Sequence, residues 1–183
     1  MSGGILSIDI GSRNMGVCIL ADDSRIVAWK LVDLPHPLTL QGVCDALQDI
    51  AENYWFETVV IERQPGKSLL MQRIQYYCEM FFHLRKKKVI LMEARTKLMY
   101  ASKTPWWPQS IEITKKWSYY TRKKAANLTV SAFLKSTNST FSTFFHSSPK
   151  RDDLADALLQ GMACLHNNNV DIPKCSIPSQ VDG

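Results

Sequence analysis

The chain has 183 residues, of which 45% are hydrophobic and 21% charged, values typical of one folded domain rather than a disordered chain. It contains no run of about 18 apolar residues, so it is not expected to span a membrane. The net charge of +5 and the pI of about 9.0 favour a polyanionic partner such as nucleic acid.

The N-terminal part of the sequence predicts a three-stranded antiparallel meander. Residues 5–10 (ILSIDI) are mostly apolar and β-branched, as expected for a strand buried on both faces. Residues 15–21 and 25–32 predict the next two strands, with turn-forming sequences before each of them. Connections as short as these join antiparallel neighbours.

The following part alternates helices with strands. Thr39 can cap a helix, because apolar residues recur at helical spacing after it. Residues 58–61 predict an apolar strand that ends on Glu62. A helix over about 67–84 and a fifth strand over 89–92 come next. This order predicts parallel pairing with right-handed crossovers.

The C-terminal half is predicted to be less regular. Residues 95–124 lack a clear period, and the sequence PWWP at 105–108 excludes regular structure there. A helix is predicted over about 122–135. The Ser- and Thr-rich stretch 136–148 predicts a loop.

A final helix is predicted with Ser148 as its N-cap and Pro149 at its first position, and it should run to about residue 166. Residues 167–183 begin with three asparagines and contain two prolines, which predicts a flexible tail. Residues 1–166 contain no repeat and no linker, so we predict one domain there.

Two acidic residues lie at the ends of predicted strands. Asp9 lies at the end of the first strand, just before Ile10, and Glu62 lies at the end of the fourth. If these strands are neighbours in the sheet, the two carboxylates lie close together at one edge. An isolated Asp at a strand end more often forms a turn or caps a helix.

The final helix carries a second acidic cluster, in the sequence KRDDLADALL. Residues three and four apart share a helix face, so either Asp153 or Asp152 can project beside Asp156. Like charges at these spacings repel each other unless a cation lies between them. The alternative is a solvated first turn that the helix dipole favours.

These acids together fit a site for divalent metal ions. Hard cations such as Mg²⁺ take oxygen ligands. Two ions about 3.5–4 Å apart can activate a water molecule and stabilise the leaving oxygen of a phosphodiester. That chemistry requires three or four acids from separate elements of the fold.

The motifs Ile8-Asp9-Ile10-Gly11, Ile61-Glu62 and Asp153-x-x-Asp156-Ala157 resemble those of RuvC-type Holliday junction resolvases in the RNase H-like superfamily. A basic helix at 122–125 precedes the acidic helix, as in that family, and the Lys- and Trp-rich middle resembles its poxvirus branch. The resemblance runs from the first strand to about residue 166. It implies an α/β RNase H-like fold, with a five-stranded mixed sheet (three antiparallel strands, then parallel ones) flanked by helices.

The resemblance implies a homodimer that nicks four-way junctions and related branched DNA symmetrically. It implies 5′-phosphate and 3′-hydroxyl ends and a role in processing viral genome concatemers. Two Mg²⁺ ions, replaceable by Mn²⁺, would be bridged by Asp9 and held further by Glu62, Asp153 and Asp156. Asp152 is the alternative to Asp153. Glu93 is a weaker fifth candidate, interpreted as a structural acid.

The resemblance also implies a location in the host cytoplasm, where poxvirus DNA replicates. Five cysteines without zinc-ligand spacing agree with a reducing compartment, and no secretory signal is expected. One feature departs from the bacterial relatives, which place an aromatic residue that helps open the junction shortly after the strand-four Glu. The corresponding residues 63–67 are RQPGK and include no aromatic residue.

Basic residues are predicted to contact DNA phosphates through counterion release. Around residues 115–124 they alternate with aromatic residues, which can stack on exposed bases. Packing of Trp117 and Tyr120 beneath a loop is an equally good interpretation. The residues predicted to bind DNA are Lys67, Lys97, Lys115, Lys116, Arg122, Lys123, Lys124, Lys150 and Arg151.

The helix at 67–84 is apolar around much of its girth, so we expect one of its faces to form the dimer interface. Three rival functions share some of these sequence features. A nucleotide-binding relative of actin and the sugar kinases would need a second domain. A DNA-binding module without catalysis would gain nothing from clustered acids. A nuclease for RNA–DNA hybrids would use the same acids, and the acids alone do not distinguish it from a resolvase.

Overall fold

A computed structural model describes residues 3–66, 68–112 and 117–167. Within these ranges five strands form a single sheet, namely β1 (Ile5–Ile10), β2 (Asn14–Leu20), β3 (Ile26–Asp33), β4 (Thr58–Glu62) and β5 (Lys88–Met92). Their order across the sheet is β3-β2-β1-β4-β5. The first three strands pair antiparallel, whereas β4 and β5 continue the sheet parallel to β1. The predicted mixed pairing is confirmed.

Helices cover both faces of the sheet. They are α1 (Leu40–Asn53), α2 (Leu69–Leu84), α3 (Ala94–Ala101), α4 (Tyr119–Ser136), α5 (Ser142–Ser147) and α6 (Arg151–Asn167). Thr39 caps α1 as predicted, because its Oγ1 accepts a hydrogen bond from the Gly42 amide at 3.1 Å. Among the helices in the described part of the chain, none is both long and apolar enough to cross a membrane.

Side chains on β1 and β2 alternate between two cores. Ile8, Val17 and Ile19 pack against α1 and α2 on one face, where Leu47 and Phe82 are fully buried. On the opposite face Cys18, Leu20 and Trp29 pack against α4, α5 and α6. Strand alternation thus decides which side chains meet α6.

A glycine on β2 allows α6 to approach the sheet closely. A Cβ atom at Gly16 would overlap the backbone carbonyl oxygen of Asp153 on α6. The absence of a side chain there therefore sets the height of the first turn of α6 above the strands.

Four helices differ clearly from the prediction. Helix α3 lies in the region predicted to be irregular, and α5 lies within the predicted 136–148 loop. Helix α6 begins at Arg151 instead of Pro149, because Pro149 and Lys150 form a turn in which Ser148 Oγ accepts from the Lys150 amide at 3.3 Å. Helix α4 also begins earlier than predicted, at Tyr119, with Ser118 as its N-cap.

The four cysteines in the described ranges, Cys18, Cys44, Cys78 and Cys164, are free thiols. Burial raises the pKa of Cys78 to about 12 and that of Cys164 to about 11, so both stay protonated at neutral pH. Cys175 and the predicted tail lie outside the described residues, apart from Asn167 at the end of α6.

Candidate metal centre

The sheet places two acids side by side at the carboxyl ends of neighbouring strands. In the parallel pairing of β1 with β4, Ile8 lies opposite Ile61, so Asp9 and Glu62 follow at the same level. Asp9 shares its face of β1 with Ser7, which contacts α6. Glu62 shares its face of β4 with Val60, which packs against Ala163 and Cys164 of α6. Strand alternation therefore directs both carboxylates towards α6.

Helix α6 supplies the third acid. Asp156 lies in its second turn, above the ends of β1 and β4. Asp9, Glu62 and Asp156 each offer one carboxylate oxygen, and these three oxygens lie within 4.8 Å of one another. The structure thus brings together three of the acids that the sequence analysis singled out, from three separate elements.

The side chain of Lys97, on α3, enters this cluster. Its ammonium nitrogen lies 2.9 Å from Asp156 Oδ2 and 3.4 Å from Asp9 Oδ1, and it also pairs with Glu62 Oε2. The Lys97 side chain is only 6% exposed. The cluster is therefore a buried ion network in which one cation faces three carboxylates.

Burial and these charges set the protonation of the cluster. Desolvation raises the pKa of Asp9 well above its ordinary value, although Lys97 opposes this rise. Desolvation likewise raises the pKa of Asp156, again against Lys97. For Lys97, burial disfavours the charged form, but the neighbouring carboxylates raise its pKa overall and keep it protonated. A single ammonium thus only partly offsets the crowding of these acids.

Asp152 and Asp153 lie one turn earlier on α6 and differ in their surroundings. Asp152 forms an ion pair with Lys123 of α4, and although burial opposes it, this pairing lowers the pKa of Asp152. Burial, followed by the charge of Asp152, raises the pKa of Asp153. Neither residue belongs to the group within 4.8 Å.

The donor set fits a hard divalent cation. The three converging ligands are all carboxylate oxygens, the chemistry that Mg²⁺ and Mn²⁺ prefer. The Lys97 ammonium already lies among the carboxylates, which indicates that the cluster attracts positive charge. Asp9, Glu62 and Asp156 could therefore hold such an ion, with Asp153 the nearest further acid along α6.

A pocket of about 120 Å³ opens beside the acids. Glu62, Lys97 and Asp156 line it on one side, and Tyr119, Arg122 and Lys123 of α4 line it on another. Lys123 also lies 4.7 Å from the centre of the Tyr119 ring. Two of the residues predicted to bind DNA thus lie next to the carboxylates, on the N-terminal half of α4.

The other predicted DNA-binding residues fall into three groups. Lys124, Lys150 and Arg151 are exposed, as a phosphate contact requires. Lys97 is instead buried in the acid cluster. Lys67, Lys115 and Lys116 lie outside the described residues. DNA contact by any of them stays a prediction.

Glu93 and the aromatic residues also have defined positions. Glu93 lies at the end of β5, outside the acid group, and pairs with Arg63 at 2.9 Å on the surface. Trp117 stacks on Trp107 with ring centres 5.4 Å apart. This contact favours packing within the protein over stacking on a DNA base. Tyr120 is 76% exposed.

The position of Lys97 within the cluster was missed from the sequence. One signal pointed to it, since Ala94, Lys97, Leu98 and Ala101 recur at helical spacing just after the fifth predicted strand. The carboxyl end of that strand lies at the same edge of the sheet as Glu62. A helix starting there brings Lys97 to the acids.

Comparison with known proteins gives one family and a set of similar structures. The family described as "Poxvirus A22 protein" matches residues 4–168. No curated protein sequence matches the chain significantly.

The solved structures share the fold at low sequence identity. The crystal structure of the fowlpox virus Holliday junction resolvase is 19% identical with a TM-score of 0.65, covering 90% of this chain and 99% of that one. The fowlpox virus resolvase in complex with its substrate Holliday junction DNA is 20% identical with a TM-score of 0.67, covering 90% and 98%. RuvC of T. thermophilus in complex with a Holliday junction substrate is 11% identical with a TM-score of 0.62, covering 91% and 96%. With the observed sheet order, these matches confirm the predicted RNase H-like fold.

Proposed function

The chain belongs to the Poxvirus A22 protein family, and from that premise we propose that it is a metal-dependent endonuclease that resolves Holliday junctions. The observation that carries this proposal is the convergence of Asp9, Glu62 and Asp156 within 4.8 Å. Three carboxylates from separate elements are what metal-assisted phosphodiester hydrolysis requires. The fold is shared with one viral and one bacterial junction resolvase, and this supports the choice of substrate.

The carboxylates of Asp9, Glu62 and Asp156 would hold the metal, and Asp153 would help to hold a second ion. Mg²⁺ is the proposed ion and Mn²⁺ its substitute. When bound, such ions activate the attacking water and stabilise the leaving oxygen of the phosphodiester. Asp152 is assigned a structural role, because Lys123 already pairs with it.

Lys97 compensates the charge of the acid cluster in the protein alone. Removing it would leave buried carboxylates facing one another, which is strongly unfavourable. Its ammonium also offers a hydrogen-bond donor to the negatively charged phosphate group of a DNA strand. Lys97 thus partly offsets the repulsion between the acids, keeps them close together and, because it lines the pocket beside them, can also help to bind the scissile phosphate.

The basic residues around the acids would bind the DNA backbone. Arg122 and Lys123 line the pocket beside Glu62 and Asp156. Lys124, Lys150 and Arg151 are exposed on α4 and at the start of α6. Contacts to phosphates position a nucleic acid without reading its sequence, which suits an enzyme that selects a branched shape.

A dimer would place two such sites on one junction, one for each of two symmetric nicks. Helix α2 supports this assembly, because Tyr76, Met80 and Leu84 are more than half exposed in the single chain. A cavity of about 390 Å³ between α1 and α2 continues this apolar surface. Apolar surface of this kind is typical of protein interfaces. The buried residues of α2, including Ile74 and Phe82, instead hold it against the sheet.

The proposed products carry 5′-phosphate and 3′-hydroxyl ends. The proposed biological role is the resolution of branched concatemers during viral genome processing in the host cytoplasm.

The proposal is tested by incubating the purified chain with three labelled substrates. These are a synthetic four-way junction, an RNA–DNA hybrid and a linear DNA duplex, each with Mg²⁺ and with a chelator. We expect paired nicks in the junction only when Mg²⁺ is present, and little cutting of the linear duplex. Efficient cutting of the hybrid alone would instead assign the site to RNA–DNA hybrid cleavage.

A further inference from the structure

A buried amide lies directly beneath the acid cluster. Gln160 is one helical turn after Asp156 on α6 and is 1% exposed. Its Nε2 lies 3.0 Å from the carbonyl oxygen of Ile8, 3.2 Å from the carbonyl oxygen of Val60 and 3.2 Å from Ser7 Oγ, so its two N–H groups are shared among three acceptors. One side chain of α6 therefore contacts both β1 and β4.

The acceptors of Gln160 lie just before the two strand-end acids. Ile8 precedes Asp9 in β1, and Val60 is two residues before Glu62 on the same face of β4. The donor is four residues from Asp156, and residues at that spacing lie on the same side of a helix. The hydrogen bonds thus connect the three elements that carry the carboxylates, within one turn of the acids themselves.

From this arrangement we propose that Gln160 is a positioning residue that fixes the separation of Asp9, Glu62 and Asp156 and so tunes metal affinity. This inference rests on the proposed function, because it assumes that the three acids bind a metal.

Packing alone does not explain an amide at this position. Gln160 is surrounded on α6 by apolar neighbours, including the buried Leu159 and Ala163, where an apolar side chain would avoid the desolvation of an amide. A hydrogen bond is directional, whereas apolar contact is not. The amide can therefore hold α6 at one height along the strands, which apolar packing would not specify.

The neighbouring residue allows the amide to reach both strands. A Cβ atom at Gly161 would lie 2.8 Å from Leu20 Cδ1 and 3.1 Å from Ser7 Cβ, so any side chain there would crowd β1 and β2. The glycine permits α6 to approach β1 closely enough for the Gln160 hydrogen bonds. Groups that hydrogen-bond metal ligands directly commonly change metal affinity by about 10–100-fold when they are replaced, and we expect the lower end of this range for Gln160, which holds the backbone beside the ligands.

The test is a Mn²⁺ titration of the full chain without DNA. The concentration of free Mn²⁺ is measured at each step by electron paramagnetic resonance. Gln160→Met keeps the length of the side chain but removes its donors. We expect Gln160→Met to bind Mn²⁺ about ten-fold or more weakly than the wild type. Gln160→Asn retains an amide that is one carbon shorter, and we expect its affinity to lie between the two.

Thr129→Val is the matched control. Thr129 is also fully buried, and its hydroxyl donates to the Ala125 carbonyl within α4 at 2.9 Å. Its replacement removes a buried hydrogen bond without a link to the acids. We expect lower thermal stability in this variant but the Mn²⁺ affinity of the wild type.

Wild-type Mn²⁺ affinity in Gln160→Met would overturn the inference alone. If that variant does not fold, wild-type affinity in Gln160→Asn would overturn it equally. A wild-type chain that binds no Mn²⁺ would overturn the proposed function and this inference with it. Equal weakening in Thr129→Val would reduce the effect to general stability and also overturn the inference.

Discussion

The protonation of Asp9 and Asp156 depends on how completely Lys97 compensates their burial. Desolvation raises the pKa of both carboxyl groups, and Lys97 opposes this only in part. Asp9 and Asp156 thus keep their protons at pH values above the ordinary carboxyl pKa of 3.8. A carboxylate must lose its proton to bind a metal, so protons compete with the metal over a wider pH range than at an exposed site.

This competition predicts that Mn²⁺ affinity keeps rising with pH above the ordinary carboxyl range. A raised pKa means that the folded protein holds the proton more tightly. Below that pKa, metal binding must displace the proton, and this cost becomes smaller as the pH rises. Affinity measured by Mn²⁺ titration at pH about 5, 6 and 7 should increase at each step. An affinity that is constant over these values would show that the acids are already fully ionised there.

The adjacent residues Asp152 and Asp153 are predicted to contribute unequally. Asp152 is occupied by Lys123, whereas Asp153 forms no ion pair with a described residue. We expect Asp153→Asn to weaken Mn²⁺ binding by about ten-fold or more, and Asp152→Asn by no more than about two-fold. The two variants remove the same charge one position apart, so each is the control for the other. The reverse order would assign the second metal site to Asp152.

The acids could be found in the sequence because their positions are local signals. Asp9 and Glu62 end apolar strands, and the spacing of Asp153 and Asp156 is helical. The role of Lys97 could not be found in the same way. Its side chain is buried among the acids, and although it shares helical spacing with Leu98 and Ala101, a lysine on the inward face weakens the apolar pattern that indicates a helix.

Among the elements, α3 and α5 show where sequence patterns were insufficient. Helix α3 buries Lys97 together with Leu98 and Ala101, so its inward face is partly polar. Helix α5 has only six residues, too few to be stable by itself. It is held by tertiary packing, because Phe145 stacks on Trp29 at 5.2 Å and Phe144 meets the same ring edge-on. The strands and the longer helices were predicted to within three residues at most ends, because their apolar periods are regular.

The close contact of α6 with β2 predicts a steric effect at Gly16. A methyl group there would meet the Asp153 carbonyl oxygen, which belongs to the helix backbone and cannot rotate away. We expect Gly16→Ala to destabilise the fold by about 1–3 kcal/mol and also to weaken Mn²⁺ binding, because it displaces the first turns of α6. Thermal unfolding and Mn²⁺ titration would measure the two effects.

Gly66→Ala is the control for this prediction. A Cβ atom at Gly66 meets only Gln72 Nε2, at 3.8 Å, so the substitution should change neither quantity appreciably. Equal behaviour of the two alanine variants would show that α6 is not held at its height by Gly16.

At the scale of the whole molecule, the exposed apolar face of α2 predicts the oligomeric state. We expect the wild type to sediment as a dimer at micromolar concentration. Met80→Lys should sediment as a monomer, because burying an ammonium at an interface carries a large desolvation cost. Trp55→Lys is a matched control, since Trp55 is 58% exposed and Met80 56% but Trp55 lies outside α2. A wild-type monomer, or a dimer that survives Met80→Lys, would contradict the predicted interface.

The proposed function depends on the carboxylate cluster, and cleavage of a four-way junction by Asp156→Asn tests it most directly. Glu93→Gln is the matched control, because Glu93 is also an acid at the end of a strand but pairs only with Arg63 on the surface. With Mg²⁺ present, we expect Glu93→Gln to cut the junction like the wild type. Asp156→Asn should still bind the junction and should give no cleavage above background. An Asp156→Asn protein that cuts at the wild-type rate would contradict the assignment of the metal centre.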